Sequence, residues 1–453
     1  MQYDSPGDPQ TLRREREAAL ARTLDLVFER HPYYRDLFRR EGLKREHFQS
    51  LDDLSRIPVT TKAQYMAEPQ RFVLESEGLE PEMRTVWDVM YTTGSTSGVP
   101  TPFVSTSYDF FNILKLQRNM LLLRGVQPTD LIANLFPITT APHGAWIRVL
   151  HAAASLQVPV LSAMPGNPSP HFELGRSLDE VVALLGIHHP TILWGVPSYI
   201  QRVLMRAAEL GTSLSKVRRV FVTGEALSDI AREHMMTALA RAGAEQAQIS
   251  VSYGSTEMQG GMIECQPGAG FHNPLPAQFL VDVVHPDTGQ PLPEGEPGSV
   301  LLTHLARRGT LLLRYALGDV SVLSREPCPH CGAVTDRLVQ TPRRADSLVK
   351  IKGMLVNPDV VIATLERRLG ACPFVMSIER DSDAPLAADR LRLRVEGAAE
   401  GASEGGVSGE LARLVKEACG VTPEVIQVPV GALQSDSRWK MQRFIDQRGK
   451  AGA

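Results

Sequence analysis

TILWGVPSYIQRVLMRAAELGTSLSKVRRVFVTG, residues Thr191 to Gly224, is the stretch that decides the fold. Its opening run, ILWGV after Pro190 and Thr191, is short, apolar and bounded by turn residues, which reads as a buried strand. PSYIQRVLMRAAELG then spaces its apolar side chains as a helix does. VRRVFVTG is a second apolar run that ends in glycine. Strand, amphipathic helix and strand in succession form the unit of an α/β layered fold.

The alternation runs outward in both directions. DLIANLFPI, SLQVPVLSA and AQISVSYG add strands, and DEVVALLGIH and SDIAREHMMTALARAG add helices, so residues 131–260 predict a largely parallel sheet. Upstream, residues 10–42 read as helix, RTVWDVMY and TPFVSTS as two strands, and YDFFNILKLQRNMLLLRG as a helix. Residues 277–323 turn β-rich: AQFLVDVV, the turn run HPDTGQPLPEGEPG, then SVLLTHL and TLLLRYA. After Asp346 come a hairpin (SLVKIKGMLV), a helix (PDVVIATLERRL) and strands (FVMSIER, LRLRVEG). EGAAEGASEGGVSGE reads as a low-complexity loop, followed by a helix (ELARLVKEAC) and a strand (PEVIQVPV). The expectation is an α/β protein in two parts. A large N-terminal layered domain with a β-rich subdomain spans 1–345, and a small, mobile α+β domain spans 346–453.

Composition narrows the function classes. The 453 residues carry a net charge of −3, which argues against a nucleic-acid partner. No apolar run approaches the eighteen or so residues of a membrane span, and the first residues, MQYDSPGDPQTLRRERE, lack a signal-peptide core. A cytoplasmic protein without membrane contact is the expectation. Five cysteines in a chain this long do not make a disulfide framework.

Several short stretches have the composition of a site. YTTGSTSGVPTP, Tyr91 to Pro102, crowds hydroxyls and glycines into a loop between two strands; its backbone N–H groups could cradle phosphate, and it could equally be a turn. VSYGSTEMQGG, Val251 to Gly261, surrounds the carboxylate of Glu257 with small residues at a strand exit, as a nucleotide-bound Mg²⁺ requires; the alternative is a plain strand-to-loop exit with a solvated glutamate. In LLLRYALGDVSVL, Asp319 follows a glycine at the expected end of a strand, where it can accept two ribose hydroxyls or serve as the aspartate of a turn. Cys328 and Cys331 form CPHC, and Cys265 and His272 lie in ECQPGAGFHN; together they could supply four ligands to a structural Zn²⁺. The alternative is a knuckle of reduced thiols.

In this order and spacing the motifs resemble the adenylate-forming superfamily, and within it the phenylacetate–CoA ligase group. TTGSTSGVPT is similar to its phosphate loop, FVTGEALS to the stretch along the adenine, YGSTE to the Mg²⁺ motif and RYALGD to the ribose motif. RRADSLVKIKG is similar to the hinge, and SRWKMQRFID to the segment with the catalytic lysine. The resemblance implies a mechanism: ATP and a carboxylic acid give an acyl-adenylate and pyrophosphate, and the thiol of coenzyme A then takes the acyl group. It also implies roles. Thr93, Gly94, Ser95, Thr96, Ser97 and Gly98 would hold the β- and γ-phosphates, Thr256 the α-phosphate and Glu257 Mg²⁺. Gly224, Glu225, Ala226 and Tyr253 would line the adenine, with Gly254 and Ser255 of the same motif in contact with the nucleotide. Asp319 would hold the ribose with Arg344 beside it, Asp346 would be the hinge, and Lys440 would stabilise the reacting carboxylate and α-phosphate.

The pattern departs from the commoner form in places. The phosphate loop has one extra small residue and Thr101 in place of a lysine. Arg343 and Ser347 stand at hinge positions where glycine and aspartate are usual, and Trp439 replaces the glycine before the lysine. Phe136, His143, Trp146 and Trp194 are candidates for the acid pocket, and their bulk favours an aromatic or compact acid, although the same residues also serve as core. Two other readings stay open. One is an adenylating enzyme that passes its acyl group to a carrier protein or amine; the other is a nucleotide-binding regulator without catalysis. Homodimers are common among ligases of this kind.

Overall fold

A computed structural model describes residues 3, 7–91, 100–138, 144–166, 175–345, 349–351, 354–370, 372–380, 389–397, 406–433 and 443–448. Helix α1 (Pro9–Arg30) is capped by Asp8, whose carboxylate accepts the N–H groups of Gln10 and Thr11 at 2.8 and 2.9 Å. The single helix expected over 10–42 is two. Pro32 removes a donor that α1 would need in order to continue, and α2 (Pro32–Arg40) starts afresh with His31 Nδ1 accepting from the Tyr34 N–H at 3.2 Å. Buried Arg16 fastens α1 to the β-rich part by donating to the Pro276 carbonyl at 2.8 Å and pairing with Asp336.

Two short helices, α3 (Lys62–Ala67) and α4 (Pro81–Arg84), lead to the antiparallel pair β1 (Val86–Tyr91) and β2 (Pro102–Thr106). Thr106 and Asp109 form a capping box that starts α5 (Ser107–Leu123). The predicted alternation then follows: β3 (Ile132–Asn134), α6 (Gly144–Leu156), β4 (Val160–Ser162), α7 (Leu178–His188), β5 (Ile192–Gly195), α8 (Pro197–Leu210), β6 (Arg219–Thr223), α9 (Asp229–Arg241) and β7 (Gln248–Ser255). These strands lie parallel in the order β4-β3-β5-β6-β7. The order reverses at β3, so a crevice opens between the carboxyl ends of β3 and β5, the place where open α/β sheets bind ligands. Successive strand residues feed opposite faces: Val220 and Val222 enter one buried cluster, and Phe221 enters another with Phe136 and Trp194.

Beyond β7 the sheet becomes antiparallel through β8 (Gly260–Glu264), β9 (Phe271–His272), β10 (Phe279–Val284), β11 (Pro297–His304), β12 (Tyr315–Ser324), β13 (Arg337–Leu338) and β14 (Arg343–Arg344). Among the described residues it has twelve strands, ordered β10-β11-β12-β13-β9-β8-β7-β6-β5-β3-β4, with β14 on β12. Gly254 and Gly261 pair across β7 and β8 so closely that a Cβ on Gly254 would lie 2.5 Å from the Gly260 carbonyl oxygen. TLLLRYA is not one strand: Arg314 has φ 45, and β12 begins only at Tyr315, while Leu311 to Leu313 pack as irregular buried chain.

The remaining residues make a smaller sheet. A hairpin, β15 (Val349–Ile351) and β16 (Met354–Val356), precedes α10 (Pro358–Leu369), β17 (Phe374–Arg380), β18 (Asp389–Glu396), α11 (Gly406–Cys419), β19 (Glu424–Val428) and β20 (Phe444–Asp446). The four long-range strands are ordered β19-β18-β17-β20 over an apolar cluster that includes Phe374, Leu393 and Leu411. Helix α11 starts at Gly406, so the C-terminal part of the expected loop is helical, while residues 398–405 lie outside the described residues. A polar clasp joins this part to the large sheet. The Ser228 hydroxyl caps α9, accepting from the Ala231 N–H at 3.1 Å, and donates to Glu366 of α10 at 2.5 Å.

Candidate active site

The carboxyl end of β7 and the middle of β12 meet at one carboxylate. The Tyr253 hydroxyl donates to Asp319 Oδ2 at 2.7 Å, and Arg344 Nε lies 3.5 Å from Oδ1. Burial, then the adjacent carboxylate, pushes the Tyr253 hydroxyl well above the usual range, so it stays a donor. Arg344 is fixed by its place opposite Asp319 in the β12–β14 pair and by donating to the Leu317 carbonyl at 3.0 Å. Asp319 does not end a strand, as the glycine before it suggested. It sits inside β12 on a bulge, where the register jumps from Val320 opposite Ser299 to Ala316 opposite Leu301, and Gly318 takes φ 80. A bulge re-aims a side chain without ending the strand.

Glu257 is buried at 7% exposure rather than solvated. Its Oε1 accepts from the Tyr315 hydroxyl at 3.1 Å, and its carbonyl accepts from His304 Nε2 at 3.0 Å. His304 Nδ1 accepts the Leu312 N–H, which fixes the tautomer, and burial holds the ring neutral with a pKa down at about 3. The turn before β8 is held by side chains. The Met258 N–H donates to Ser255 Oγ at 3.3 Å, and Gln259, at φ 54, donates its amide to the Thr256 carbonyl at 2.6 Å. The Gln259 amide oxygen accepts from Arg148, whose guanidinium also pairs with Asp88 of β1 at 3.1 Å and with His151 Nδ1 at 2.9 Å. One buried arginine thus ties the Thr256–Glu257 turn to the strand that leads into TTGSTSG.

Gly224 takes φ 93 just after β6. The Glu225 carboxylate accepts the backbone N–H and the hydroxyl of Ser198 at 3.0 and 2.9 Å, which holds the GEA stretch, including Ala226, against the start of α8. On the other face Phe136 and Trp194 are buried, and Trp146 packs against them. Thr93, Gly94, Ser95, Thr96, Ser97, Gly98, His143, Asp346 and Lys440 lie outside the described residues. Sequence reasoning missed Arg148, Asp88, His304 and Tyr315. Tyr315 had a signal, since it lies within the ribose motif, whereas the partners of Arg148 are 60 and 111 residues away.

A second cluster lies where β8, β9 and the CPHC loop converge. The ligand atoms of Cys265, His272, Cys328 and Cys331 all lie within 4.8 Å of one another. His272 Nδ1 bonds the Ile263 carbonyl at 3.1 Å, which leaves Nε2 facing Cys331 Sγ at 3.5 Å. The Cys328 sulfur accepts the His330 N–H at 3.4 Å. Three sulfurs and an oriented imidazole at this separation fit a tetrahedral Zn²⁺ site with its outer hydrogen bonds already in place. Cys372 and Cys419 are free thiols packed against the small sheet's core.

The family model described as AMP-binding enzyme matches residues 51–305. The chain belongs to that family of adenylate-forming proteins. Within it the chain is phenylacetate–coenzyme A ligase-like. It is 26% identical to the phenylacetate–coenzyme A ligase of Thermus thermophilus, over 96% of this chain and 97% of the relative. It is 23% identical to that of Aromatoleum evansii, over 98% of each. Among solved structures, 2-hydroxyisobutyryl-CoA ligase in the postadenylation state, in complex with R3-HIB-AMP, superposes with a TM-score of 0.77. The identity is 21%, over 98% of this chain and 92% of that one. In its thioesterification state, with 2-HIB-AMP and CoA, the same ligase superposes at 0.64, with 21% identity over 98% and 91%. Among the described residues no helix is long and apolar enough to cross a membrane.

Proposed function

We infer that the protein is an AMP-forming acid–CoA ligase. A carboxylate oxygen of the acid attacks the α-phosphorus of ATP, the bond to the β-phosphate breaks, and acyl-adenylate and pyrophosphate result. The thiol of coenzyme A then attacks the acyl carbon and AMP leaves. The observation that carries this reading is the union of two family motifs, YGSTE and RYALGD, in one corner. Tyr253 of the adenine and Mg²⁺ motif donates to Asp319 of the ribose motif, and Glu257 lies buried beside Tyr315 a few residues away.

The chain's own residues divide the work. Asp319, held by Tyr253 and Arg344, accepts the ribose hydroxyls, and Gly224, Glu225 and Ala226 with Tyr253 border the base. Gly254 and Ser255 shape the turn that presents Thr256 to the α-phosphate. Glu257 offers one buried carboxylate oxygen network of the kind that holds Mg²⁺, which supplies neutralisation of phosphate charge when bound. Lys440 and the hydroxyls of Thr93 to Gly98 carry the remaining phosphate contacts, as the resemblance implies, and Asp346 marks the boundary about which residues 346–453 turn relative to 1–345. Two anions must meet in the first step, so placed positive charge and donors are the main catalytic contribution. The four-ligand cluster holds structural Zn²⁺, stapling the CPHC loop to β8 and β9. The substrate is a compact or aromatic acid, and the enzyme works in the cytoplasm.

The test is pyrophosphate release from ATP across a panel of aryl and short-chain acids, with and without coenzyme A. Acid-dependent release that turns over with coenzyme A supports the ligase. A single turnover indifferent to coenzyme A points to a carrier protein or amine as acceptor, and no release with any acid leaves a nucleotide-binding regulator. Sedimentation of the same preparation reports whether it is a homodimer.

A further inference from the structure

The apolar cluster around Trp194 and Phe221, beside the carboxyl ends of β3 and β5, holds buried polar hydrogens that find no acceptor among the described residues. Arg124, just after α5, is 1% exposed. Its Nη2 donates to the Val251 carbonyl at 3.1 Å and to the Ser252 hydroxyl, and its guanidinium lies 4.5 Å from the centre of the Phe221 ring. Its Nε and Nη1 have no partner among the described residues. Trp194 meets the same Phe221 ring edge-on at 5.5 Å, and its indole N–H is also unpartnered. So are the Trp146 indole N–H and the Tyr199 hydroxyl, whose side chains pack on the cluster formed by Trp194 and Phe221.

The chain path explains why they gather there. Trp194 is the penultimate residue of β5, Tyr199 lies in the first turn of α8 just after it, and Trp146 lies in the first turn of α6 after β3. All three stand at the sheet's reversal point. Folded proteins satisfy nearly all their buried polar hydrogens, because an unmet one costs more than a hydrogen bond gains. Five such atoms in one cluster, one group of them cationic, do not suit a tail of bare hydrocarbon. Burial already drags the Arg124 guanidinium down to about 9, the direction expected of a cation without a paired anion.

We propose that the acid bound here carries a second hydrogen-bond acceptor on its tail (a ring hydroxyl, a carbonyl or a second carboxylate), received by Arg124 and the indole N–H of Trp194. This rests on the ligase reading, with the crevice as the acid's seat. A site built to hydrogen-bond a polar substituent discriminates strongly against the analogue that lacks it.

The experiment compares kcat/KM for pyrophosphate release with matched acids. These are benzoate and phenylacetate, their ring-hydroxylated and acetyl-substituted forms, and the corresponding ring dicarboxylates. The expected result is a preference of roughly 10-fold or more for an acceptor-bearing form over its parent. A dicarboxylate winner assigns an anionic partner to Arg124, and a hydroxyl or acetyl winner assigns a neutral one. The preference should collapse toward one in Arg124→Met and in Trp194→Phe, the latter keeping an apolar ring while removing the N–H. Parents that react as fast as every substituted form would overturn the proposal. So would a preference that survives in both Arg124→Met and Trp194→Phe, and one lost only in Trp146→Phe or Tyr199→Phe would move the contact away from Arg124 and Trp194 and overturn it too. Absence of release with every acid would instead overturn the ligase reading, and this proposal with it.

Discussion

Replacing Arg148 by methionine should damage stability and chemistry together. Its side chain is 9% exposed and that of Asp88 16%, so the pair is largely removed from water. Truncating one member of such a pair leaves the other buried and uncompensated, at a cost of about 3–5 kcal/mol. Asp88 has little to fall back on, because its Oδ1 already lacks a partner among the described residues. Removing both charges, as Asp88→Leu with Arg148→Met, should recover most of the loss, so the cycle should show a coupling of about 2–3 kcal/mol. Arg148→Met also strips the acceptor side of Gln259, which holds the Thr256 carbonyl. A shift of that turn by about 1 Å would slow pyrophosphate release on the order of 100-fold. Urea unfolding of the three variants gives the cycle, and single-turnover release gives the rate. An Arg148→Met protein within about 0.5 kcal/mol of wild type and releasing pyrophosphate at the normal rate would refute the reasoning, since both effects are expected from the same bonds.

Asp319→Asn should raise KM for ATP by roughly 10- to 100-fold, the worth of charge-assisted bonds to two hydroxyls, while Tyr253→Phe should have a smaller effect; equal KM values in all three proteins would contradict the ribose role. Protein purified without added zinc should carry about one equivalent per chain by elemental analysis, lost in Cys331→Ala; well under one equivalent in the wild type would exclude the metal site. His31 is wholly buried, and its pKa is held down at about 4, mainly by burial. The unfolded chain takes up that proton near pH 6.5 and the folded one only near 4, so stability falls as pH drops through this window, by about 1.4 kcal/mol per pH unit. His31→Asn should flatten the slope of urea stability against pH by that amount, and an unchanged slope would rule the residue out.

Much of this architecture was readable because it is local. Strands β3 to β7 and their helices follow from apolar periodicity; β3 to β6 fall inside runs picked from the sequence, and β7 ends one residue past AQISVSYG. Errors came where backbone geometry overrode composition. ALGD reads as a turn, yet Gly318 serves a bulge and Asp319 stays in the strand. Residues 10–42 read as one helix until Pro32 is given its steric due. The cysteine and histidine quartet was legible as residue types, but their convergence depends on β9 pairing with both β8 and β13. Arg124 and Arg148 were invisible for a different reason. A lone arginine on an amphipathic helix, or just past its end, looks like surface, and only the packing of distant strands turns it inward.

The Ser228–Glu366 clasp has a consequence for how tightly the two parts of the chain are joined. The Ser228 oxygen accepts from α9 while its hydrogen goes to Glu366, so separating the helices forfeits only the donated bond and leaves the helix cap whole. Water can take over both ends, which limits the net loss to about 1.5–3 kcal/mol for a bond to a carboxylate. That single bond does not by itself lock the smaller part in place, and it sits four residues along the chain from the glycine that precedes the adenine stretch's glutamate. Whatever crowds or vacates that corner therefore has a short lever on the posture of the smaller part.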